Sequence, residues 1–258
     1  MAIEPRDHTS MTAEHLQLLL DEAAPNEIID IPEGRLTGSF VIDRPVILRG
    51  VGAEETVIEG DGTGPVFSIE ADDGTVRLEQ MSITQGRASF GGGVSIDNGA
   101  RVEIHRCLFT QNRAPSGCGG AIAIDRGQLL VSESTLAWNA GKVGGAIYAG
   151  GQARIQIVAS ILDNNLSLKG GGVAIRDGAE VDVWTCRFDQ NRADDEGHHL
   201  WAISSYDRRP HVIVSNSILG SSSGQFGCAI ANHRLFSAHI SLDNTAVSRD
   251  FSASVLVG

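Results

Sequence analysis

The chain has 258 residues, of which 41% are hydrophobic and 20% charged, so it can build a continuous core and is not expected to be disordered. Lys and Arg total 20 against 32 Asp and Glu, which gives a formal net charge of −12. This balance argues against nucleic acid or an anionic membrane as partner, because both require a basic surface. No apolar run reaches the roughly 18 residues of a membrane-spanning helix, so membrane insertion is not expected.

The first eight residues contain neither a basic region nor an apolar stretch, and no signal peptide is predicted there. The compartment is therefore left open between the cytoplasm and a secreted protein whose signal has been trimmed. The four cysteines have no paired spacing and are expected to be free thiols of the interior. They are Cys107, Cys118, Cys186 and Cys228.

A helix is predicted over residues 10–24, ahead of the first β-rich pieces. Ser10 or Thr12 is its expected N-cap, and Leu16 and Leu20 belong to its apolar face. An amphipathic helix in this place covers the open end of a repeat core, where unpaired strand edges would otherwise invite aggregation. From residue 28 onward, short β-rich pieces alternate with turns rich in Gly, Asp and Pro, as in the coils of a β-solenoid.

The middle of the chain repeats one pattern four times. Each copy opens on a glycine pair, at Gly91, Gly119, Gly144 and Gly170. Each copy closes on an asparagine, at Asn112, Asn139, Asn165 and Asn191. Both sets recur at intervals of 25 to 28 residues, and a fixed period of this size is typical of solenoids. The asparagines are expected to stack at one turn and to hydrogen-bond the neighbouring coil.

These repeats resemble the right-handed parallel β-helix proteins of the pectin-lyase-like superfamily. Gly119-Gly-Ala-Ile122 and Phe109-Thr-Gln-Asn112 look specifically like the repeats of polymorphic outer-membrane proteins. The opening stretch, 28–34 through 48–52, is similar to the first coils of carbohydrate-active β-helices. The sequence thus predicts one all-β domain, a single-stranded right-handed parallel β-helix of about eight coils over 28–257 with the 10–24 helix as its cap. The resemblance favours a fold more than an activity, because one fold hosts many functions.

The repeat is interrupted after Asn191, where a fifth glycine pair is due. Carboxylates, imidazoles and guanidinium groups gather there, and an acid, a base and a cationic clamp are what cleavage or epimerisation of an acidic sugar requires. The candidate catalytic residues are Asp194, Asp195, Glu196, His198, His199 and Arg208. The three carboxylates are also a candidate Ca²⁺ site, and no other cofactor or metal is predicted. The alternative is an irregular terminal coil whose turns are filled with polar residues.

A second candidate surface is a lateral face formed by outward-pointing strand residues and the turn after residue 203. Its candidate ligand-binding residues are Trp184, His105, Asp182, Tyr206, Arg209 and His211. An exposed indole on a flat sheet can stack on a sugar ring, whereas the alternative is that neighbouring side chains or a second subunit shelter Trp184. Trp201 is expected to pack its own coil.

Two functional classes follow. The favoured one is a non-catalytic scaffold or binding protein that recognises a glycan or a protein along a lateral face. The alternative is a carbohydrate-active enzyme, a polysaccharide lyase, hydrolase or epimerase, acting on an acidic polysaccharide. The first is favoured because the Asn-Thr-Asp, Gly-His-Gly and Arg-Ile-Lys motifs of polygalacturonase-like hydrolases are missing. Self-association is a further expectation, since the last coil shows no obvious cap.

Overall fold

The computed structural model describes residues 11–204, 209–221, 230–232, 239–247 and 255–257. Within them, the strands form three long sheets of nine strands and one short sheet of four. Each strand pairs in parallel with its counterpart in the next coil, as between β10 (Arg101–His105) and β14 (Gln128–Ser132). The predicted parallel β-helix is confirmed, with nine strands in each long sheet against about eight predicted coils.

The chain visits the sheets in a fixed order in each coil. The first sheet consists of β1 (Glu27–Asp30), β4 (Val46–Arg49), β7 (Thr75–Glu79), β10, β14, β18 (Arg154–Val158), β22 (Glu180–Trp184), β26 (His211–Ser215) and β29 (His239–Asp243). The second sheet consists of β2 (Gly34–Thr37), β5 (Thr56–Glu59), β8 (Ser82–Thr84), β11 (Leu108–Thr110), β15 (Thr135–Ala137), β19 (Ile161–Asp163), β23 (Arg187–Asp189), β27 (Ile218–Leu219) and β30 (Ala246–Val247).

Two further sheets complete the coil. The four-stranded corner sheet consists of β12 (Arg113–Cys118), β16 (Ala140–Val143), β20 (Leu166–Lys169) and β24 (Arg192–Glu196). The third long sheet consists of β3 (Phe40–Ile42), β6 (Phe67–Ile69), β9 (Val94–Ile96), β13 (Ile122–Ile124), β17 (Ile147–Ala149), β21 (Val173–Arg176), β25 (Leu200–Ile203), β28 (Ile230–Asn232) and β31 (Val255–Val257).

The N-terminal helix is α1 (Ala13–Glu22), shorter than the predicted 10–24. Thr12 is the N-cap, and its hydroxyl accepts a hydrogen bond from the His15 amide at 3.2 Å. Leu16 and Leu20 are buried in the main core. The Gln17 side chain accepts from the Val41 amide at 3.0 Å and donates to its carbonyl at 3.1 Å. Because β3 is the outermost strand of its sheet, the helix supplies hydrogen-bond partners to backbone groups on an otherwise unpaired strand edge.

The core is aliphatic and runs along the axis of the coil. Strands of the first sheet alternate inward and outward residues, and in β10 the inward residues Val102 and Ile104 are at most 2% exposed. A smaller apolar cluster lies outside this core, between the corner sheet and the third sheet, and contains Tyr148 and Trp201. Trp201 is 4% exposed, so its expected packing role is confirmed. No helix within the described residues is long and apolar enough to cross a membrane.

Two sets of polar side chains link successive coils. After the first sheet, serine hydroxyls accept a hydrogen bond from a backbone amide of the preceding coil, as Ser134 does from Cys107 at 3.1 Å.

The cysteines differ in burial. Cys107 and Cys186 are buried free thiols, and burial raises the pKa of Cys107 to about 12. Cys118 is only half-buried, which differs from the expected interior position, and Cys228 lies outside the described residues.

The four repeat asparagines form the predicted ladder, and each is at most 1% exposed. The Oδ1 atom of one asparagine accepts from the backbone amide and the side-chain amide of the asparagine before it. Asn139 accepts in this way from Asn112, both at 3.1 Å. The ladder therefore satisfies buried polar groups in every coil it crosses.

Candidate functional site

The repeat does not break after Asn191, contrary to the sequence-based expectation. Gly170 donates its amide to the Glu196 carbonyl at 3.0 Å and Gly171 donates to the Gly197 carbonyl at 3.1 Å. Gly197 has a φ of +68°, close to the +67° of Gly170, so it is the fifth opening glycine. His198 and His199 then stand where earlier copies carry a second glycine and a glycine or alanine. The sequence could have revealed this fifth copy, because Gly197 follows Gly170 by 27 residues, which is within the range of the repeat.

Both histidines of the candidate catalytic set are buried, at 1% and 0% exposure. His198 Nδ1 accepts from the Ala193 amide at 2.9 Å. His199 Nε2 lies 3.1 Å from the Gly220 carbonyl oxygen and must donate to it. Its Nδ1 is then an acceptor for the Asn191 side-chain amide, 3.3 Å away. In the earlier coils the side-chain amide of each ladder asparagine donates to the Oδ1 atom of the next asparagine. His199 Nδ1 takes the place of that oxygen for Asn191.

The carboxylates of the candidate set lie on the outside of the coil and are engaged with neighbouring side chains, and Lys169 Nζ lies near both Asp195 and Glu196. Asp194 pairs with Arg192 at 2.7 Å, and Asp195 pairs with Lys169 at 3.3 Å. Glu196 accepts from the Trp201 indole at 2.8 Å.

The structure therefore does not bring acid and base to one accessible edge, which corrects the expectation that the His198 and His199 imidazoles face a ligand. Arg208 and Tyr206 lie outside the described residues. In the part of the chain that is described, no three His, Cys, Asp or Glu side chains are grouped to share a metal ion. The carboxylates of the candidate Ca²⁺ site, Asp194, Asp195 and Glu196, are accordingly not grouped around a shared position.

The buried state of His199 makes stability depend on pH. Its pKa is lowered to about 4, chiefly because burial penalises the imidazolium, while the hydrogen bond to Gly220 opposes the shift. The unfolded imidazole has a pKa of about 6.5, so the unfolded chain binds more protons between that value and pH 4. We expect the free energy of unfolding to fall by about 3 kcal/mol as pH drops through this window.

The measurement is urea unfolding at pH 7, 5.5 and 4 for the wild type and for His199→Gln, which cannot titrate. The difference between the two pH profiles isolates the histidine from all other groups. Parallel profiles would contradict the assignment of this pH dependence to His199.

The outward face of the first sheet, here called the lateral face, holds the second candidate set. Trp184 is 51% exposed on β22, so neighbouring side chains within the chain do not shelter it. Asp182 and His105 lie on the same face, and His105 Nδ1 is 3.0 Å from the Ser132 hydroxyl. His211 is exposed at the start of β26, and Arg209 is exposed two residues before it. The structure therefore places five of the six candidate ligand-binding residues at or beside one sheet.

An open depression of about 470 Å³ crosses this face over strands β10 to β22. Its lining includes Arg101, Glu103, Gln128, Leu130, Arg154, Gln156, Glu180 and Asp182. Sequence reasoning missed the column of Arg101, Gln128, Arg154 and Glu180. Strand alternation could have found it, because Glu180 stands two positions before the outward residue Asp182 and pairs in register with Arg154.

The charges of the lateral face are largely paired. Arg77 lies 2.8 Å from Glu103, and Arg154 lies 3.2 Å from Glu180. All four side chains are at least 40% exposed, so each pair contributes little stability. The face instead offers a row of guanidinium, carboxamide and carboxylate groups within hydrogen-bonding reach of solvent.

Comparison with known proteins finds two solved structures with TM-scores above 0.5. A pectin methylesterase from Aspergillus niger, in its penultimately deglycosylated form, has a TM-score of 0.56 at 13% identity over 98% of this chain and 88% of that one. The deglycosylated form of the same enzyme has a TM-score of 0.56 at 13% identity, over 100% of this chain and 91% of that one. The A-module of the mannuronan C-5 epimerase AlgE4 from Azotobacter vinelandii has a TM-score of 0.37 at 12% identity, over 95% of this chain and 93% of that one. No curated relative matches the sequence.

At such low identity the likeness to the methylesterase shows a shared fold, and this fold is one found in carbohydrate-active enzymes. The predicted pectin-lyase-like architecture is thereby confirmed. The family model described as "right handed beta helix region" matches residues 58–224, well over half of the chain. The chain therefore belongs to the right-handed β-helix family.

Proposed function

We propose that this β-helix binds a polysaccharide along its lateral face and does not cleave it. The observation that carries the proposal is the half-exposed indole of Trp184 beside a depression lined by planar polar side chains. An indole face stacks on the apolar face of a sugar ring, while amide, carboxylate and guanidinium groups hydrogen-bond its hydroxyls. Asp182 brings a carboxylate to the same strand as the indole.

The repeat geometry suits an extended ligand. Parallel strands present equivalent side chains about 4.8 Å apart, so successive coils offer similar groups to successive units of a chain. Solenoids commonly use such extended surfaces for binding. Because the two arginines at Arg77 and Arg154 are neutralised by glutamates, a neutral or weakly charged polysaccharide suits the face better than a polyuronate.

A non-catalytic role is favoured by the state of the other candidate set. The imidazoles of His198 and His199 serve as buried acceptors, and Asp194, Asp195 and Glu196 are engaged with neighbouring side chains. An acid–base pair for glycosidic cleavage would have to face the ligand within hydrogen-bond reach. These groups instead support the fold.

Replacing Trp184 with alanine is expected to weaken polysaccharide binding by about tenfold or more, because a stacked aromatic contributes about 1–2 kcal/mol. Affinity electrophoresis through gels containing xyloglucan, galactomannan, mixed-linkage β-glucan, pectin or alginate measures the loss. Trp138→Ala is the matched control, since Trp138 is 61% exposed but lies at the turn before Asn139, away from the lateral face.

The proposal would be contradicted if every polysaccharide that retards the wild type retarded Trp184→Ala equally. It would also be contradicted if Trp184→Ala and Trp138→Ala lost the same amount of affinity. A parallel assay for new reducing ends separates binding from cleavage. Reducing ends released by the wild type would favour the enzyme alternative over a binding protein.

A further inference from the structure

Two histidines lie side by side at the far end of the lateral face. His211 begins β26 and His239 begins β29, and the two residues are direct partners in the parallel register. Both side chains are exposed. Their ring centroids are 4.9 Å apart, and the ring planes make an angle of 66°.

This separation is close to the one that a shared metal ion requires. With a Zn–N distance of about 2.1 Å, an imidazole centroid lies about 3.2 Å from its ion, so two imidazoles on one tetrahedral ion have centroids about 5.2 Å apart. The observed 4.9 Å differs from this by a few tenths of an ångström, which small side-chain rotations can accommodate. The backbone register already fixes the two residues on neighbouring strands, so binding needs no rearrangement of the coil.

We propose that His211 and His239 form a two-histidine site for a late first-row transition-metal ion, Zn²⁺ or Cu²⁺. Imidazole nitrogen is a preferred ligand of both ions, and Cu²⁺ binds more tightly than Zn²⁺ at a given nitrogen site. Within the part of the chain that is described, these two side chains supply two ligands, and the remaining positions go to water or to an oxygen donor from solution.

The neighbouring charges define the limits of the site. Glu180 precedes His211 in the same column, but its carboxylate lies 3.2 Å from Arg154 Nε. It supplies negative potential beside the two histidines, and no three-ligand group is present among the described residues. Arg209, two residues before His211, is exposed and opposes cation binding in part. The site is independent of the polysaccharide proposal and stands if that proposal fails.

The test uses the full chain after removal of metal with a chelator. Titration calorimetry with ZnCl₂, and separately with CuCl₂, is expected to show one site per chain in the wild type. His211→Ala and His239→Ala should each weaken it by about tenfold or more, since loss of a ligand costs at least as much as loss of a supporting group. His15→Ala is the matched control, because His15 is an exposed histidine on α1.

Two further readouts report on the geometry. Electron paramagnetic resonance of the Cu²⁺ complex should show two coordinated nitrogens in the wild type and one in either single variant. Zn²⁺ should raise the melting temperature of the wild type more than that of the variants, because an ion that bridges β26 and β29 binds only the folded coil. Circular dichroism confirms that each variant is folded.

Unchanged affinity in His211→Ala or in His239→Ala would overturn the proposal. An equal loss in His15→Ala would do so as well, because it would indicate diffuse binding to surface histidines. A Cu²⁺ spectrum with a single nitrogen in the wild type would also exclude a shared ion.

Discussion

The variant Asn139→Ala is expected to lose about 3–5 kcal/mol of unfolding free energy, because it leaves several buried polar groups without partners. The Asn139 side-chain amide donates to the carbonyls of Phe109 at 3.0 Å and Ala137 at 3.1 Å, and to Asn165 Oδ1 at 3.0 Å. Its Oδ1 accepts twice from Asn112. The side chain is 1% exposed, so water cannot replace these bonds without opening the coil.

Equilibrium urea unfolding, followed by circular dichroism, measures this loss. Gln128→Ala is the matched control, since it removes an exposed amide from the first sheet and should change stability by less than about 0.5 kcal/mol. Asn139→Asp keeps the shape and the acceptor but removes the donor, and it should also be strongly destabilised because burying a carboxylate is costly. Near wild-type stability of both Asn139 variants would contradict the ladder as a source of stability.

The variant Gly145→Ala is expected to lose about 3 kcal/mol or to fail to fold, because the added methyl group has no space. A Cβ on Gly145 would collide with the Gly171 carbonyl oxygen and would lie 2.8 Å from both the amide nitrogen and the carbonyl oxygen of Leu166. All three atoms belong to the backbone of the next coil. They cannot move without disturbing the bonds that stack the coils, among them Gly145 N to Gly170 O at 2.9 Å.

Gly64→Ala is the matched control for this prediction. A Cβ there would meet only the Ser39 hydroxyl, at 3.2 Å, and the stability should change by less than about 1 kcal/mol. Thermal melts of the two purified variants give the comparison directly. Similar melting temperatures would show that the corner tolerates a side chain and that close stacking does not require the glycine.

The sequence by itself determined the repeat and much of the coil. The period of the glycines and asparagines, the alternation in strands such as Val102-Glu-Ile104 and the apolar face of α1 predicted the parallel β-helix and its helix. These features are readable because each coil repeats the same local requirement: a left-handed glycine at one corner, an amide at one turn and an alternating strand. The exposure of Trp184 followed from the same alternation.

Only the tertiary structure decided which polar residues are available for chemistry. Asp194, Asp195 and Glu196 adjoin His198 and His199 in sequence, yet the turn at Gly197 leaves the carboxylates outside and takes the imidazoles inside. The contact between His211 and His239 likewise depends on the register of the stacked strands, which makes residues 28 positions apart direct neighbours. Periodicity fixes the path of the backbone, but the direction of a side chain at a corner and its neighbour in the next coil depend on how the coils stack.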